Sequence, residues 1–217
     1  MTAAQVKALF EGTLVTLELT LISIAIGLVF ALILALGRMS KNKILSGITW
    51  VYVWVFRGTP LMLQLIVAYF AIPLLSKSLT GNYLNLSMFG AAVLGLTLNT
   101  AAYLAEIFRA GIQSIDKGQM EAAKALGMTY GQAMMKIIIP QTYRRVIPPF
   151  ANEFVMILKD TSLVIVIGLS ELTRVSKQFA AGGEWKFYFI AGAIYLFLTT
   201  VFTVLFDKME KKASKYE

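Results

Sequence analysis

The stretch Gly12–Leu36, GTLVTLELTLISIAIGLVFALILAL, decides the class of protein to which this chain belongs. A helix needs about 20 mainly apolar residues to cross a bilayer, and this run is long enough. It is also longer than the roughly 7–15 apolar residues at the core of a signal peptide, and the segment before it, Met1–Phe10, is not strongly basic. We therefore expect a first membrane-spanning helix that stays in the protein.

The composition of the whole chain agrees with a membrane protein. Of its 217 residues, 58% are hydrophobic, and the mean hydropathy is +0.71. An ordinary soluble domain has about 45–50% apolar residues. The chain has no cysteine and no histidine, so disulfides, thiolate chemistry and the usual zinc ligands are excluded.

Similar apolar runs recur along the chain and predict an all-α membrane protein with five transmembrane helices in one domain over residues 1–217. The second run contains RGTP at 57–60. We expect a kink or break there, because proline removes a helical hydrogen bond and clashes with the preceding turn. The expected spans are approximately 13–36, 48–75, 88–110, 146–168 and 187–206.

The distribution of lysine and arginine predicts the orientation of these spans, because cytoplasmic loops carry an excess of both residues. We expect the N-terminus outside, the C-terminus in the cytoplasm and a multi-pass protein of the cell membrane. The same placement argues against a nucleic-acid partner, although the net charge is +8. The basic residues assigned to the cytoplasm are Arg38, Lys41, Lys43, Arg109, Lys117, Lys124, Lys136, Arg144, Arg145, Lys208, Lys211, Lys212 and Lys215.

The fourth expected span contains ionisable residues. It includes PFANEFVMILKDTSLVIVIG, Pro149–Gly168, with Glu153, Lys159 and Asp160. An ionised group near the bilayer centre costs roughly 2.5–3.5 kcal/mol on insertion scales, and such residues usually face a bundle interior or a water-filled cavity. An internal salt-bridge network and a functional site are both open interpretations.

Two pairs of polar residues in this segment share a helical face. Glu153 and Asp160 are seven residues apart, which is about two helical turns, and Asn152 and Lys159 form a parallel pair one position away. We expect them to form one polar stripe on an otherwise apolar helix, with Met156 within it. The stripe should face the interior of the bundle.

The third expected span carries a weaker polar pattern. Asn99, Tyr103 and Glu106 lie on one helical face. Lining of a pathway and plain helix–helix packing are both open, because polar side chains commonly join helices within membranes.

The loop at about 115–145 is the one sizeable hydrophilic segment between spans. Strong helix formers over 121–126 predict a short helix, and Gly127 can end it because glycine readily adopts the left-handed cap conformation. Thr129 can start a second short helix to about Ile138, with Pro140 near its end. Such a pair could seat in a cleft of a partner protein or could merely connect two spans.

The same loop resembles the EAA motif of ABC importer permeases in residue types and spacing. The matching residues are Glu121, Ala122, Ala123, Gly127, Ile137, Ile139 and Pro140, with isoleucine at 139 where leucine is more usual. Three further stretches are similar to the polar-amino-acid subfamily in order and spacing. They are RGTPLMLQL at 57–65, AAYLAEIFRAGIQSI at 101–115 and NEFVMILKDTSL at 152–163.

The resemblance implies an assembly in a prokaryotic plasma or inner membrane. Two permease subunits, either a homodimer or a pair with a similar paralogue, form the pathway in that family. Two ATPase subunits receive the coupling helices of the EAA loop, and an extracytoplasmic binding protein delivers the amino acid. This chain has no GxxxxGK[ST] phosphate-binding loop. We therefore expect no cofactor and no enzymatic activity in this chain, with ATP and Mg²⁺ bound by the partner ATPase.

An amino-acid substrate requires partners for its carboxylate and its ammonium when both leave water. Lys159 and Arg57 are the candidate partners for the carboxylate, and Asp160 is the candidate for the ammonium. Thr161 and Ser162 add hydroxyls and could cap a new helical segment after a break at 159–160, where exposed amides would attract a carboxylate.

Glu153 then remains for the substrate side chain, with Asn152 beside it on the stripe. The spacing of two turns favours a long cationic side chain, so we predict basic amino acids, with arginine first. Neutral polar amino acids such as glutamine are the alternative substrate class. An ion-coupled secondary carrier is the alternative mechanism, but such carriers often have inverted repeats, and none is evident here.

Overall fold

Every regular element in residues 1–214, which the computed structural model describes, is a helix, so the all-α prediction is confirmed for that range. Lys215, counted above with the basic tail, lies outside the described residues. The α-helices are α1 (Ala3–Arg38), α2 (Lys43–Gly58), α3 (Leu61–Ile66), α4 (Ile72–Thr80), α5 (Met88–Gln113), α6 (Lys117–Ala125), α7 (Tyr130–Ala133), α8 (Ile139–Asp160), α9 (Leu172–Ala181) and α10 (Lys186–Ser214). Two π-helical turns, Val67–Ala71 and Met134–Ile138, join α3 to α4 and α7 to α8, and a 3₁₀ helix, Thr161–Ile167, continues α8.

Helix α5 is the centre of the bundle and packs against α1, α2, α3 and α8. Small side chains make this possible, because they let helix backbones approach closely where lipid gives no hydrophobic drive between helices. Gly27 of α1 faces Thr100 of α5 so closely that a Cβ atom there would lie 3.2 Å from the threonine methyl group. The buried glycines and alanines of α5 are Ala91, Ala92, Gly95, Ala101, Ala102, Ala105 and Gly111.

The predicted interruption at RGTP is confirmed. Helix α2 ends at Gly58, and Pro60 has an extended backbone before α3 begins. Carbonyl groups freed at the break are bound by an amide pair: Gln64 Nε2 donates to the oxygens of Phe56 and Thr59 at 2.9 and 3.1 Å. Asn99 Nδ2 of α5 donates to the same Phe56 oxygen at 3.2 Å and to Gln64 Oε1 at 3.0 Å. These two amide side chains therefore satisfy backbone oxygens that the break leaves without helical partners.

Four described helical segments are long and apolar enough to cross a membrane: α1, α3–α4 with its π turn, α5 and α10. The expected span at 146–168 is not among them. It falls on α8 and the 3₁₀ helix, whose polar residues lower its hydropathy. The count of five crossings therefore stays a prediction.

The loop after α5 contains the expected pair of short helices, but its second half differs from the prediction. Gly127 has a φ of +82°, which fits its predicted role at the end of α6. Thr129 caps α7 through a capping box with Gln132. Pro140 does not end the second helix. It lies in the first turn of α8, where a missing N–H costs least, and the chain stays helical from α7 through the π turn.

A buried carboxylate fixes the short helix α9 on the predicted outer side. Glu171 is fully buried and accepts hydrogen bonds from the backbone N–H groups of Thr173 and Arg174, at 2.7 and 2.8 Å. The hydroxyl of Tyr195 on α10 donates to it at 3.0 Å. Burial raises the pKa of Glu171, and these hydrogen bonds offset part of that effect.

Candidate substrate site and coupling loop

The polar residues of α8 lie on two neighbouring lines rather than on one stripe. Glu153 and Asp160 are half-buried, whereas Asn152, Met156 and Lys159 are exposed. Buried Phe154, Ile157 and Leu158 form the packed side of the helix. The prediction of a single polar stripe containing Met156 is therefore wrong, because a rotation of one position is enough to separate the two environments.

The line of Glu153 and Asp160 carries two carboxylates without protein partners. Within residues 1–214, neither carboxylate has a hydrogen bond or an ion pair within 4 Å, although Glu153 lies within electrostatic range of Arg57 and of Asp160. Asp160 interacts over a similar range with Lys159. Half-buried carboxylates without partners are costly in a membrane protein and are therefore candidates for contact with a cationic ligand.

The line of Asn152 and Lys159 faces another part of the molecule. With Met156 it lines an open groove of about 450 Å³ between α8 and α10. Thr203 and Asp207 lie on the α10 side of this groove. Within one subunit, Lys159 is therefore not placed beside Glu153.

The hydroxyl residues after Asp160 do not form the predicted cap. The α-helix passes directly into the 3₁₀ helix instead of breaking at 159–160. Thr161 is fully buried, and its hydroxyl donates to the Leu158 oxygen at 2.7 Å. The prediction that Thr161 caps a new helical segment is wrong, because the α-helix tightens into a 3₁₀ turn and no new helix with exposed amides begins there. Ser162 follows it and is half-buried.

Arg57 lies at the end of α2 beside a cluster of charges on α5. Its guanidinium carbon is 5.2 Å from the centre of the Tyr103 ring, and its Nη1 is 3.9 Å from Glu106 Oε2. Glu106 also pairs with Arg109 at 2.6 Å and with Arg38 of α1 at 3.1 Å. One carboxylate thus has three arginine neighbours from three helices.

This charged cluster borders a cavity of about 540 Å³ between α2, α5 and α8. Arg57, Tyr103 and Glu106 line one side, and Arg145 and Pro149 of α8 line another. Glu153 lies one helical turn beyond Pro149 on the same helix, so this carboxylate, but not Asp160, follows closely on the cavity lining.

From the sequence alone the role of Glu106 is open, and Arg38 and Arg109 indicate only the orientation of the spans. The structure places all three in one ion-pair network. A signal was present, because Glu106 is an acidic residue in an apolar helix and Arg109 follows at i+3, a spacing that brings the two together. The contribution of Arg38 could not be read locally, since it comes from a different helix.

Some residues of the coupling loop are buried between its two short helices, and others are exposed on its surface. Ala123 of α6 and Ala133 of α7 are buried where the two helices cross. Glu121 and Ala122 are exposed on α6, as are Gly127 and Pro140 further along the loop. Large apolar side chains are also exposed there, including Leu126 and Tyr130. Exposed apolar residues on a small helical projection are typical of a protein-binding surface.

Comparison with known proteins places the chain in a family. Residues 27–215 match the family described as "Binding-protein-dependent transport system inner membrane component". The arginine transport system permease protein ArtQ of Bacillus subtilis (strain 168) is 39% identical over 97% of this chain and 94% of that protein. The glutamine transport system permease protein GlnP of Escherichia coli (strain K12) is 34% identical over 95% of this chain and 93% of that protein.

A solved structure gives the same result at the level of the fold. A chain in the crystal structure of an amino acid ABC transporter with histidines is 37% identical, with a TM-score of 0.86 over 98% of this chain and 100% of that chain. The helical architecture, the EAA motif and these relatives agree. The protein belongs to the inner-membrane components of binding-protein-dependent transport systems, as a permease of the amino-acid ABC transporter type.

Proposed function

We propose that this permease carries basic amino acids, arginine first, and that its substrate site lies at Glu153 and Asp160. One observation carries the proposal. Two half-buried carboxylates, two helical turns apart on α8, have no hydrogen bond or ion pair within the described residues. A substrate with two cationic groups would neutralise both.

The spacing of the two carboxylates fits such a substrate. Seven residues of α-helix place the two Cα atoms about 10 Å apart. An extended arginine or lysine spans roughly 6–8 Å from Cα to its charged end on ordinary bond lengths. With about 3 Å of hydrogen-bond distance added, this length becomes comparable with the separation of the Cα atoms, so Asp160 can take the ammonium while Glu153 takes the side-chain charge. A short neutral side chain fits this spacing less well.

The substrate carboxylate needs a cationic partner, and two are available. Lys159 is the better placed along the chain, because it lies within electrostatic range of Asp160, which takes the ammonium beside that carboxylate. Arg57 lies nearer to Glu153, and its partly exposed guanidinium is the second candidate. Lys159 and Asn152 face the groove between α8 and α10. We infer that they contribute from that side where a second permease copy completes the pathway. Ser162 adds a hydroxyl at the end of the site.

The EAA loop couples this site to a separate ATPase, which binds the ATP and Mg²⁺. Glu121 and Ala122 present their side chains to the partner, and Ala123 holds α6 against α7. Gly127 forms the corner between the two short helices, and Pro140 starts α8, which carries the substrate carboxylates. A movement of the loop would therefore reach Glu153 and Asp160 through one helix. ATP can drive this only by binding one state more tightly than the other.

The complete transporter would contain two permease subunits, two ATPase subunits and an extracytoplasmic binding protein in the inner membrane of a prokaryote. The N-terminus would lie outside and the C-terminus in the cytoplasm. A neutral substrate such as glutamine is the second candidate. It is favoured by the 34% identity to a glutamine permease and by the position of Arg57, which could neutralise Glu153 internally.

Direct binding to the purified permease–ATPase complex tests the substrate class. Arginine, lysine, histidine and glutamine are compared by calorimetry on the wild type and on Glu153→Gln. We expect arginine to bind best and to lose about 10- to 100-fold in affinity in the variant, because a charge-assisted hydrogen bond is lost. Glu11→Gln is a matched control, since Glu11 is an exposed carboxylate paired with Lys7. Equal binding of glutamine, unchanged by Glu153→Gln, would refute the basic specificity.

A further inference from the structure

The Glu106 cluster holds its three arginines with unequal strength. Arg109 binds the carboxylate through Nε and Nη2, at 3.0 and 2.6 Å from Oε2, and Arg38 Nε binds Oε1 at 3.1 Å. Both oxygens are therefore occupied by short charge-assisted hydrogen bonds, which are the strong ones. Arg57 Nη1, at 3.9 Å, is beyond hydrogen-bond distance.

Arg57 is also the most exposed of the three. Its side chain is 44% exposed, against 17% for Arg38 and 27% for Arg109. Its guanidinium also lies over the face of the Tyr103 ring, a contact that restrains a guanidinium without fixing its direction. The Arg57 guanidinium is thus held near Glu106 but remains able to turn toward the cavity.

A second carboxylate, Glu153, lies within electrostatic range of this guanidinium. Arg57 and Pro149 line the same cavity, and Glu153 follows Pro149 by one turn of α8. Glu153 has no competing cationic partner within 4 Å in the described chain. If Arg57 were released from Glu106, it could form an ion pair with Glu153, which lies within its electrostatic range.

We propose that Glu106 is a positioning residue for Arg57 and thereby sets the preference for cationic over neutral substrates. By sharing one carboxylate among three arginines, it keeps the Arg57 guanidinium away from Glu153. Glu153 then stays available for a cationic side chain. The inference rests on the proposed function, because it assigns Glu153 to the substrate side chain.

The test measures the ratio of the glutamine to the arginine dissociation constant on the purified permease–ATPase complex in lipid nanodiscs. In Glu106→Gln, Arg57 should pair with Glu153 and compete with the substrate side chain. We expect the ratio to fall about tenfold, mainly through weaker arginine binding. A purely structural role of Glu106 would weaken both ligands together and leave the ratio unchanged.

A double-mutant cycle separates this effect from the general field of the missing charge. Arg57→Gln removes the side chain through which Glu106 is proposed to act. Adding Glu106→Gln to this variant should therefore change the ratio by less than about twofold, which is the usual deviation for groups that do not interact. An equal fall in both backgrounds would show that Glu106 acts without Arg57, and the proposal would be overturned.

Arg109→Gln is a second test, in which the ratio is expected not to fall. It can be used even if Glu106→Gln folds poorly. Loss of Arg109 frees one side of the Glu106 carboxylate, which should draw Arg57 closer and keep the ratio at or above the wild-type value. Glu106→Asp retains the charge and should recover much of the lost preference. A ratio that falls in Arg109→Gln as it does in Glu106→Gln would contradict the proposal.

The Glu153→Gln variant distinguishes the two levels of inference. If Glu153→Gln leaves arginine binding unchanged, the proposed substrate site fails whatever the cycle shows. If Glu153→Gln weakens arginine but Glu106→Gln leaves the ratio within twofold of the wild type, the site stands and the positioning role of Glu106 fails.

Discussion

Glu106 and Glu153 are both half-buried carboxylates within the helix bundle, but they differ in the number of arginines that lie beside them. Glu106 has two arginines within hydrogen-bond distance and a third at 3.9 Å. Glu153 has none within 4 Å among residues 1–214. A buried charge that is paired stabilises the arrangement of the helices around it, whereas one without a partner is available to a ligand. The difference predicts that the first carboxylate supports the fold and the second supports binding.

The largest expected effect tests the unpaired region. Asp160→Asn should weaken arginine and glutamine alike by about 100-fold, because the ammonium that both share loses its charged partner. The melting temperature should stay the same or rise, since a desolvated charge without a hydrogen bond is removed. Calorimetric binding and thermal unfolding in detergent measure the two quantities. A large loss of stability with normal binding would reverse the assignment of this region.

The next effect tests the paired region. Glu106→Gln should lower the free energy of unfolding by about 2–3 kcal/mol, because Arg38 and Arg109 are left with uncompensated charge in a largely buried site. A fall in the melting temperature relative to wild type, with Glu11→Gln as the exposed control, measures it. Equal stability of Glu106→Gln and Glu153→Gln would remove the contrast between the two regions.

A change in the coupling loop provides a third case for the comparison, because it should alter neither the ion pairs of Glu106 nor substrate binding at Glu153. Gly127→Ala places a Cβ atom on a left-handed residue, at a cost of about 1–2 kcal/mol. We expect substrate-stimulated ATP hydrolysis to fall about fivefold with unchanged arginine binding. Gly131→Ala is the matched control, since Gly131 lies in α7 with ordinary backbone angles and open space around it. Similar losses in both variants would exclude the corner at Gly127 as the cause.

The smallest effect concerns Glu171, a buried carboxylate satisfied by neutral donors instead of arginines. Burial raises the pKa of Glu171 above its value in the unfolded chain. Its contribution to stability is therefore fully present below the unfolded pKa and is lost as the pH rises through the folded one. The melting temperature of the wild type relative to Glu171→Gln should fall as the pH rises above about 4.5. A difference that does not depend on pH would contradict this.

Several features of the fold could be predicted because their causes are local. The apolar run at 12–36 predicts a spanning helix by its length alone, and Pro60 predicts the end of α2 because its ring and missing N–H act on adjacent residues. Gly127 was recognised for the same reason, since its backbone conformation is a property of one residue. The predicted end of the second short helix at about Ile138 was wrong, because a proline near that position is equally compatible with the first turn of a continuing helix.

The candidate site was predicted in part. The seven-residue spacing correctly placed Glu153 and Asp160 on one line of α8, because helical periodicity is fixed. It could not show that Asn152 and Lys159 face a different groove, since this depends on where α10 packs. The burial of Thr161 was also not predictable, because the tightening of the chain into a 3₁₀ helix follows from its packing.

The sequence by itself determined the class of protein, the family and the residues able to carry charge inside the membrane, because hydropathy, spacing and motifs are properties of short segments. Only the tertiary structure decided which of those charges are already neutralised. Arg38, Arg57 and Glu106 come from three helices, and their separation along the chain gives no measure of their distance in space. Whether a buried carboxylate stabilises the fold or is available to a ligand depends on its distance from the arginines of other helices, since electrostatic attraction falls with separation and rises with burial.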